Sequence, residues 1–187
     1  MASLPILTAE KPILRQRARK VRSVGPSLHR LVEDMIDTMR AAPGVGLAAP
    51  QVGVAQRVIV VEFAETKDDD GVEPKLYVVV NPEIVRHSAD TVVGTEGCLS
   101  IPGFLGDVER YQSVTVRGLD RRGRPLRLKT NDWLARIFQH EIDHLDGVLY
   151  IDRASRVWKA EPEEAAAVQV GAPHPATENT ENKEAGE

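Results

Sequence analysis

The 187-residue chain has a single cysteine, Cys98, and no apolar run near the ~18 residues that span a bilayer. A lone thiol excludes an internal disulfide, and an unpaired cysteine suits a reducing compartment. The apolar stretch at residues 4–7 is too short for the core of a signal peptide. Since 42% of the residues are hydrophobic, enough for one full core, we expect a single cytoplasmic domain outside the membrane.

Phosphate-binding motifs are absent as well, because the chain has neither a Gly-Lys-Ser/Thr loop nor GxGxxG. Its glycine-rich segment GVGLAAPQ, residues 44–51, follows a helical pattern rather than a strand. The backbone of such an extended segment can pair with a bound peptide, while the Gln51 amide can donate a hydrogen bond to an oxyanion. A tight turn that holds a satisfied glutamine is the alternative.

Histidines are few, yet two of the five, His140 and His144, form an HExxH motif. On a helix these two lie on one face, close enough to bind one ion, and Glu141 can reach a water on that ion. The helix, expected over residues 131–146, carries apolar residues on the histidine face and is therefore mostly buried. Buried imidazole nitrogens without partners cost about 1–3 kcal/mol each, which favours a metal over two ordinary helix histidines. Polar residues fill the opposite side: Asp132, Arg136, Gln139 and Asp143.

A third ligand has to come from elsewhere, and Cys98 within TEGCLS, residues 95–100, is the candidate. The preceding glycine lets a backbone approach closely, and Pro102 and Gly103 are expected to end the strand, which places the thiol at a strand-to-loop corner. Such corners often carry chemistry, although a buried free cysteine taken alone is commonly a small hydrophobe.

The rest of the chain is predicted to be mainly β structure without strand–helix alternation or repeats. Residues 57–63 and 76–80 are β-branched runs on either side of an acidic loop at residues 68–71. A hairpin is expected around residues 120–123, where four apolar residues alternate with polar ones: Val114, Val116, Leu126 and Leu128. An amphipathic helix precedes the glycine-rich segment, with an apolar stripe of Leu28, Leu31, Val32, Met35, Ile36 and Met39. The predicted fold class is α+β, with antiparallel β-sheets packed around a central metal-binding helix.

Taken in order, GVGLAAPQ, EGCLS and QHEIDHLDG resemble the three signature segments of the peptide deformylase family, a likeness that extends from about residue 4 to about residue 156. The resemblance implies hydrolytic removal of the formyl group from the N-terminal formylmethionine of newly made polypeptides. It implies Cys98, His140 and His144 as metal ligands, with water in the fourth position. It also implies that Arg110 pairs with Glu96 and braces the cysteine corner.

The same resemblance makes Glu141 the general base and acid, and it makes the Gln51 amide and the Leu99 backbone N–H the donors to the oxyanion. The Gly46 backbone would hold the substrate amide of an N-formylmethionyl peptide. Ferrous iron is the metal for which the family is known, and the ligand set itself also suits Zn²⁺ or Ni²⁺.

Helical periodicity also predicts an apolar binding slot for the substrate side chain. Ile137 lies one turn before His140, and with Val45 and Leu99 it makes an apolar slot that suits an unbranched methionine. Where enteric members of the family have an arginine at the mouth of this slot, the chain has Leu105.

Acidity is concentrated at one end of the chain. Residues 160–187 contain seven Glu and one Lys, a net charge of −6 within a total of −4, which leaves +2 for residues 1–159. This end has almost no large apolar residue, so we expect a catalytic domain over residues 1–159 and an acidic tail over residues 160–187 that is disordered from about residue 162. Many relatives end in a basic helix associated with docking on the ribosome, which this chain does not show. At most a transient contact with the ribosome is expected, and no direct binding of nucleic acid.

Two alternatives remain open on the sequence. A metallopeptidase also uses HExxH, but its usual third ligand lies downstream, where only His174 and acidic residues are found. A structural or storage metal site would be closed by four protein ligands, and there is no second cysteine to close it. The other histidines, His29, His87 and His174, have no ligand-like neighbour and are expected to be unrelated to metal.

Overall fold

The computed structural model describes residues 3–42, 44–64, 73–161, 163, 164 and 168. Its helices are α1, Pro26–Ala41, and α2, Asp132–Asp146. Its strands are β1 (Gly46–Ala48), β2 (Val58–Phe63), β3 (Lys75–His87), β4 (Thr91–Cys98), β5 (Ile101–Tyr111), β6 (Ser113–Leu119), β7 (Pro125–Asn131) and β8 (Arg156–Lys159). No helix in these ranges is long and apolar enough to cross a membrane.

The strands form two antiparallel sheets. One has five strands in the order β1-β2-β3-β6-β7, and the other has three in the order β4-β5-β8. Helix α2 packs against strands of the five-stranded sheet and against β5 of the smaller one. The predicted α+β class with antiparallel sheets around a central helix is therefore confirmed.

The five-stranded sheet is covered by a helix on each face. Along β2 the side chains alternate, so that Ile59 and Val61 pack with α2 while Val58 and Val60 pack with α1. Burial on both faces explains why β2 is a continuous β-branched run rather than an alternating one. The predicted stripe of α1 faces this sheet, with Leu31 partly buried and the others buried.

Two predicted strands were located correctly but one was too short. β2 begins one residue after the expected start, whereas β3 continues from Lys75 through His87. The prediction covered only the run at residues 76–80, which ends before Asn81 and Pro82. In the structure this pair lies at a register shift between Val80 and Glu83, where Asn81 has a φ of 54°. A bulge therefore lets one strand pair first with β2 and then with β6. The acidic loop at residues 68–71 lies outside the described residues.

The predicted hairpin is β6–β7, with Gly123 in its turn at a φ of 79°. Helix α2 also lies within one residue of its predicted range and ends at Gly147, which has a φ of 77°. Its polar side was interpreted incompletely, because Arg136, Gln139 and Asp143 are buried. The three-stranded sheet packs against that side and supplies polar partners, which a helical wheel does not show.

Candidate active site

The three predicted metal ligands converge in the structure. Cys98 Sγ and one ring nitrogen from each of His140 and His144 lie within 4.8 Å of one another. Cys98 ends β4, and the two histidines lie on α2 with ring centroids 5.0 Å apart. Cys98 Sγ is 3.2 Å from His144 Nε2. A strand end and a helix face thus meet at one point.

The cysteine corner is held by backbone and amide donors. The register between β4 and β5 shifts at Gly97 and Cys98, so the chain turns directly after the thiol. The backbone N–H of Ser100 and the amide of Gln51 donate to Cys98 Sγ at 3.4 and 3.6 Å. The expectation that Pro102 and Gly103 end the strand was wrong, since both lie within β5.

Glu96 connects the cysteine strand to the histidine helix. Its carboxylate accepts two hydrogen bonds from Arg110, both 2.9 Å, and one from His140 Nδ1 at 2.9 Å. Burial acts to raise the pKa of Glu96, but the charge and hydrogen bonds of Arg110 outweigh it and hold the pKa well below its usual range. With Nδ1 bound to an anion, His140 presents Nε2 to the site, an arrangement typical of metal-binding histidines. The predicted Arg110–Glu96 pair is confirmed.

The pKa values of the two histidines are shifted in opposite directions. Burial opposes charge on His140, but Cys98 and Glu96 hold its pKa well above the usual value. For His144, burial and the neighbouring charge of His140 hold the pKa well below it. Neutral His144 is therefore ready to bind a metal, since the neutral imidazole is the ligand form.

The residues present fit a divalent transition ion. A thiol with two imidazoles is a donor set for Zn²⁺, Fe²⁺ or Ni²⁺. Two buried atoms beside it, Glu141 Oε2 and His144 Nδ1, have no hydrogen-bond partner among the described residues. Such atoms are costly unless a bound group or water contacts them. The donors and the unpaired carboxylate oxygen together are what a metal with a reactive water requires.

Glu141 lies on the wall of the site rather than among the ligands. Burial raises its pKa to about 7, which suits proton transfer at neutral pH. Its carboxylate occupies space that only glycine leaves open, because a Cβ on Gly46 would lie 2.4 Å from Glu141 Oε1. The position of the Glu141 carboxylate therefore requires a glycine at residue 46.

An open pocket begins at the Glu141 carboxylate, and all the residues predicted to bind substrate line this pocket. Val45, Gly46 and Ile137 form its wall together with the predicted oxyanion donors Gln51 and Leu99. Sequence reasoning did not assign four further lining residues: Gly97, Trp133, Arg136 and Val168. Trp133 could have been found, since it precedes Ile137 by four residues on the same helix face.

The other histidines have ordinary roles or lie outside the described residues. His29 Nε2 is 2.9 Å from the carbonyl oxygen of Arg121, and His87 stacks on Tyr111. His174 lies outside the described residues. Neither His29 nor His87 belongs to the Cys98 group.

Val168 corrects part of the prediction for the tail. Glu163, Glu164 and Val168 are helical, so the disorder expected from about residue 162 does not extend to these three; the remainder of the tail lies outside the described residues. Val168 is buried against Leu105, the residue expected at the pocket mouth, and Trp158 Nε1 donates to Glu164 Oε1 at 3.2 Å. The acidic end therefore contributes to the pocket wall.

A chain that ends at Lys159 tests the value of this contact. Removing Val168 uncovers Leu105, so we expect the free energy of unfolding to fall by about 1.5–3 kcal/mol. Urea unfolding of the two chain lengths measures the difference. Equal free energies would show that the Val168 contact contributes nothing to stability.

The fold and site define a hydrolase that combines an HExxH helix with one cysteine, and comparison with known proteins narrows the class. The family model described as polypeptide deformylase matches residues 3–160. The peptide deformylase of Symbiobacterium thermophilum is 48% identical over 182 residues, covering 95% of this chain and 81% of that protein. The enzyme of Thermomicrobium roseum is 51% identical over 157 residues, covering 82% and 86%. The chain belongs to the polypeptide deformylase family.

Solved structures agree with this assignment. Peptide deformylase from Ehrlichia chaffeensis has a TM-score of 0.77 at 38% identity, covering 83% of this chain and 89% of that one. The Met-Ala-Ser-bound class I type b enzyme from Acinetobacter baumannii has a TM-score of 0.75 at 38% identity, covering 81% and 98%. The chain is thus a hydrolase that deformylates newly made polypeptides, and the metallopeptidase alternative is not favoured.

Proposed function

We propose that Cys98, His140 and His144 hold one divalent ion, ferrous iron by preference, and that the site hydrolyses the formyl amide of N-formylmethionyl peptides in the cytoplasm. The convergence of the cysteine with the HExxH pair carries this proposal. A bound divalent ion lowers the pKa of a bound water to roughly 7 and polarises a carbonyl oxygen. We propose that residues 1–159 carry the chemistry and that Val168 adds to the pocket wall.

Glu141 moves the proton. Its Oε2 accepts the proton of the attacking water and returns it to the departing amine, a transfer favoured by a pKa of about 7. The carboxylate is buried and rests against Gly46, so it needs little rearrangement during turnover.

Gln51 supplies a fixed donor for the negative charge that develops on the formyl oxygen. Its Oε1 accepts the backbone N–H of Ala48 at 2.9 Å, which turns Nε2 towards Cys98 and Ser100. Because this amide is oriented before substrate binds, its hydrogen bond can stabilise the transition state without reorganisation. The backbone N–H of Leu99 is the second donor.

Strand β1 binds the backbone of the substrate peptide. It lies at the edge of the five-stranded sheet, and an edge strand can pair with an extended peptide. Gly46 on β1 then holds the substrate amide, while the methionine side chain enters the apolar wall of Val45, Leu99 and Ile137. The Acinetobacter baumannii enzyme has been solved with Met-Ala-Ser bound, which supports a peptide as the ligand.

Gly46→Ala is expected to remove activity while leaving the metal ligands intact. The added Cβ would displace the Glu141 carboxylate, so we expect kcat to fall at least ~10²-fold, the lower range of general acid–base catalysis. Formate release and bound metal are measured on the same preparation. Gly25→Ala is the control, because nothing lies within 4 Å of a Cβ at that position. Full activity in Gly46→Ala would show that the carboxylate can work from another position.

The test of the function is formate release from a short formyl-methionyl peptide by protein loaded anaerobically with Fe²⁺, Ni²⁺ or Zn²⁺. All three ions are expected to bind, and iron and nickel are expected to turn over faster. Zinc with two histidines and a thiolate readily stays four-coordinate, whereas iron and nickel accept a further ligand more easily. Equal rates with zinc and iron would contradict the preference for iron. No formate with any ion, alongside intact binding, would overturn the function.

A further inference from the structure

Arg136 is the second arginine, after Arg110, that forms an ion pair with Glu96. It lies one turn before His140 on α2. Its side chain is buried, and Nη1 donates to Glu96 Oε1 at 2.8 Å. Four hydrogen bonds leave the guanidinium in all, since it also donates to three backbone carbonyls of the smaller sheet: Val92 at 2.7 Å, Gly94 at 3.2 Å and Val108 at 2.8 Å. The helix is thereby tied to β4 and β5 next to the metal ligands.

The guanidinium fits a single position. A Cβ on Gly94 would lie 2.9 Å from Arg136 Cζ, so the strand has a glycine where the arginine crosses it. Arg136 Cζ also lies over the Trp133 ring, 5.6 Å from its centroid. A planar group enclosed by a backbone, a ring and four acceptors has little freedom to move.

Both oxygens of Glu96 are fully used. Oε1 accepts from Arg110 Nε and Arg136 Nη1, and Oε2 accepts from Arg110 Nη2 and His140 Nδ1. Arg110 also donates to Asp143, which in turn binds the half-exposed Arg153. The position of Arg110 therefore depends on an ion-pair network that reaches solvent, whereas Arg136 ties Glu96 to buried sheet backbone.

We propose that Arg136 is a positioning residue for the metal ligand His140 and acts through Glu96. By fixing the carboxylate, it keeps Nδ1 of His140 as the donor to Glu96 and Nε2 directed towards Cys98 and the ion. The inference rests on the proposed metal role of Cys98, His140 and His144. Changes to such outer partners cost roughly 10- to 100-fold in metal affinity.

Arg136→Met tests this role against Arg57→Met. Arg57 is also a buried arginine, and it lies directly before β2. It donates to the Leu145 carbonyl and to Asp146 at the end of α2, at 3.1 and 2.7 Å, but it has no hydrogen bond to Glu96. Co²⁺ affinity is measured by competition with a chelator, together with the cobalt–thiolate absorption and urea unfolding. Both variants should be less stable. Only Arg136→Met should lose roughly 10- to 100-fold in Co²⁺ affinity and show a changed absorption band.

Arg136→Lys keeps the inference testable if the methionine variant does not fold. Lysine retains the charge beside Glu96 but lacks the fork that reaches three carbonyls, so we expect a smaller loss of Co²⁺ affinity than for methionine. Unchanged affinity in the folded variants, or an equal loss in Arg57→Met, would overturn the positioning role. If the wild-type protein bound Co²⁺ no better than Cys98→Ala, the proposed metal site itself would fail, which is a separate outcome.

Discussion

Glu141→Gln should bind metal as the wild-type protein does and lose ~10²- to 10⁴-fold in kcat, the contribution of general acid–base catalysis. The amide has nearly the same shape as the carboxylate, so it can still pack against Gly46 in the buried site. It cannot accept the proton of the attacking water. Metal analysis and formate release on one preparation measure the two effects.

A carboxylate with no contact to the site provides the control for this variant. Glu83 is exposed and forms an ion pair with Arg117 at 3.0 Å, so Glu83→Gln should leave kcat unchanged. A metal-loaded Glu141→Gln that remained active would contradict the proton-transfer role, whereas loss of the metal would place Glu141 among the ligands.

Cys98→Ser is expected to have the second large effect, a loss of about 10³-fold or more in metal affinity, because the thiolate supplies a large part of the binding free energy. Serine has a similar size, so the buried corner beside Ser100 and Gln51 should still pack. Its hydroxyl is a poor ligand at neutral pH. Competition with a chelator measures the affinity of the variant for Zn²⁺ and Fe²⁺.

Unfolding with and without metal separates this effect from a packing defect. In the presence of chelator, Cys98→Ser and the wild-type protein should unfold at similar urea concentrations. Added Zn²⁺ should stabilise the wild-type protein alone, because only a bound ligand shifts the unfolding equilibrium. Equal stabilisation of the variant by Zn²⁺ would remove Cys98 from the site.

Local patterns carried the prediction of the main site. His140 and His144 are four residues apart, and helical periodicity alone places them on one face with Glu141 beside them. Residues 44–51 were expected to be extended, which is right for Gly46–Ala48 and wrong for Ala49–Val52, a 3-10 helix. Gln51 lies beside Cys98 all the same. The histidine prediction succeeded because it depends only on the conformation of a short segment.

Two residues whose roles depend on distant partners were not found. The wheel placed Arg136 on the polar side of α2, yet its partners lie at residues 92, 94, 96 and 108 on the smaller sheet. Val168 belonged to a segment with too few apolar residues to suggest burial, yet it packs against Leu105 and lines the pocket. In neither case does a neighbour in sequence signal the contact.

The sequence by itself determined the donors and the helix face that presents two of them, because a thiol, two imidazoles and a carboxylate keep their chemistry in any fold. It also determined the buried strand β2, through an uninterrupted β-branched run. Only the tertiary structure decided that β4 ends against α2, that Glu96 joins the two elements, and that Gly46 makes room for Glu141. Those features depend on the distance between segments far apart in the chain, and that distance is set by the packing of two sheets around one helix.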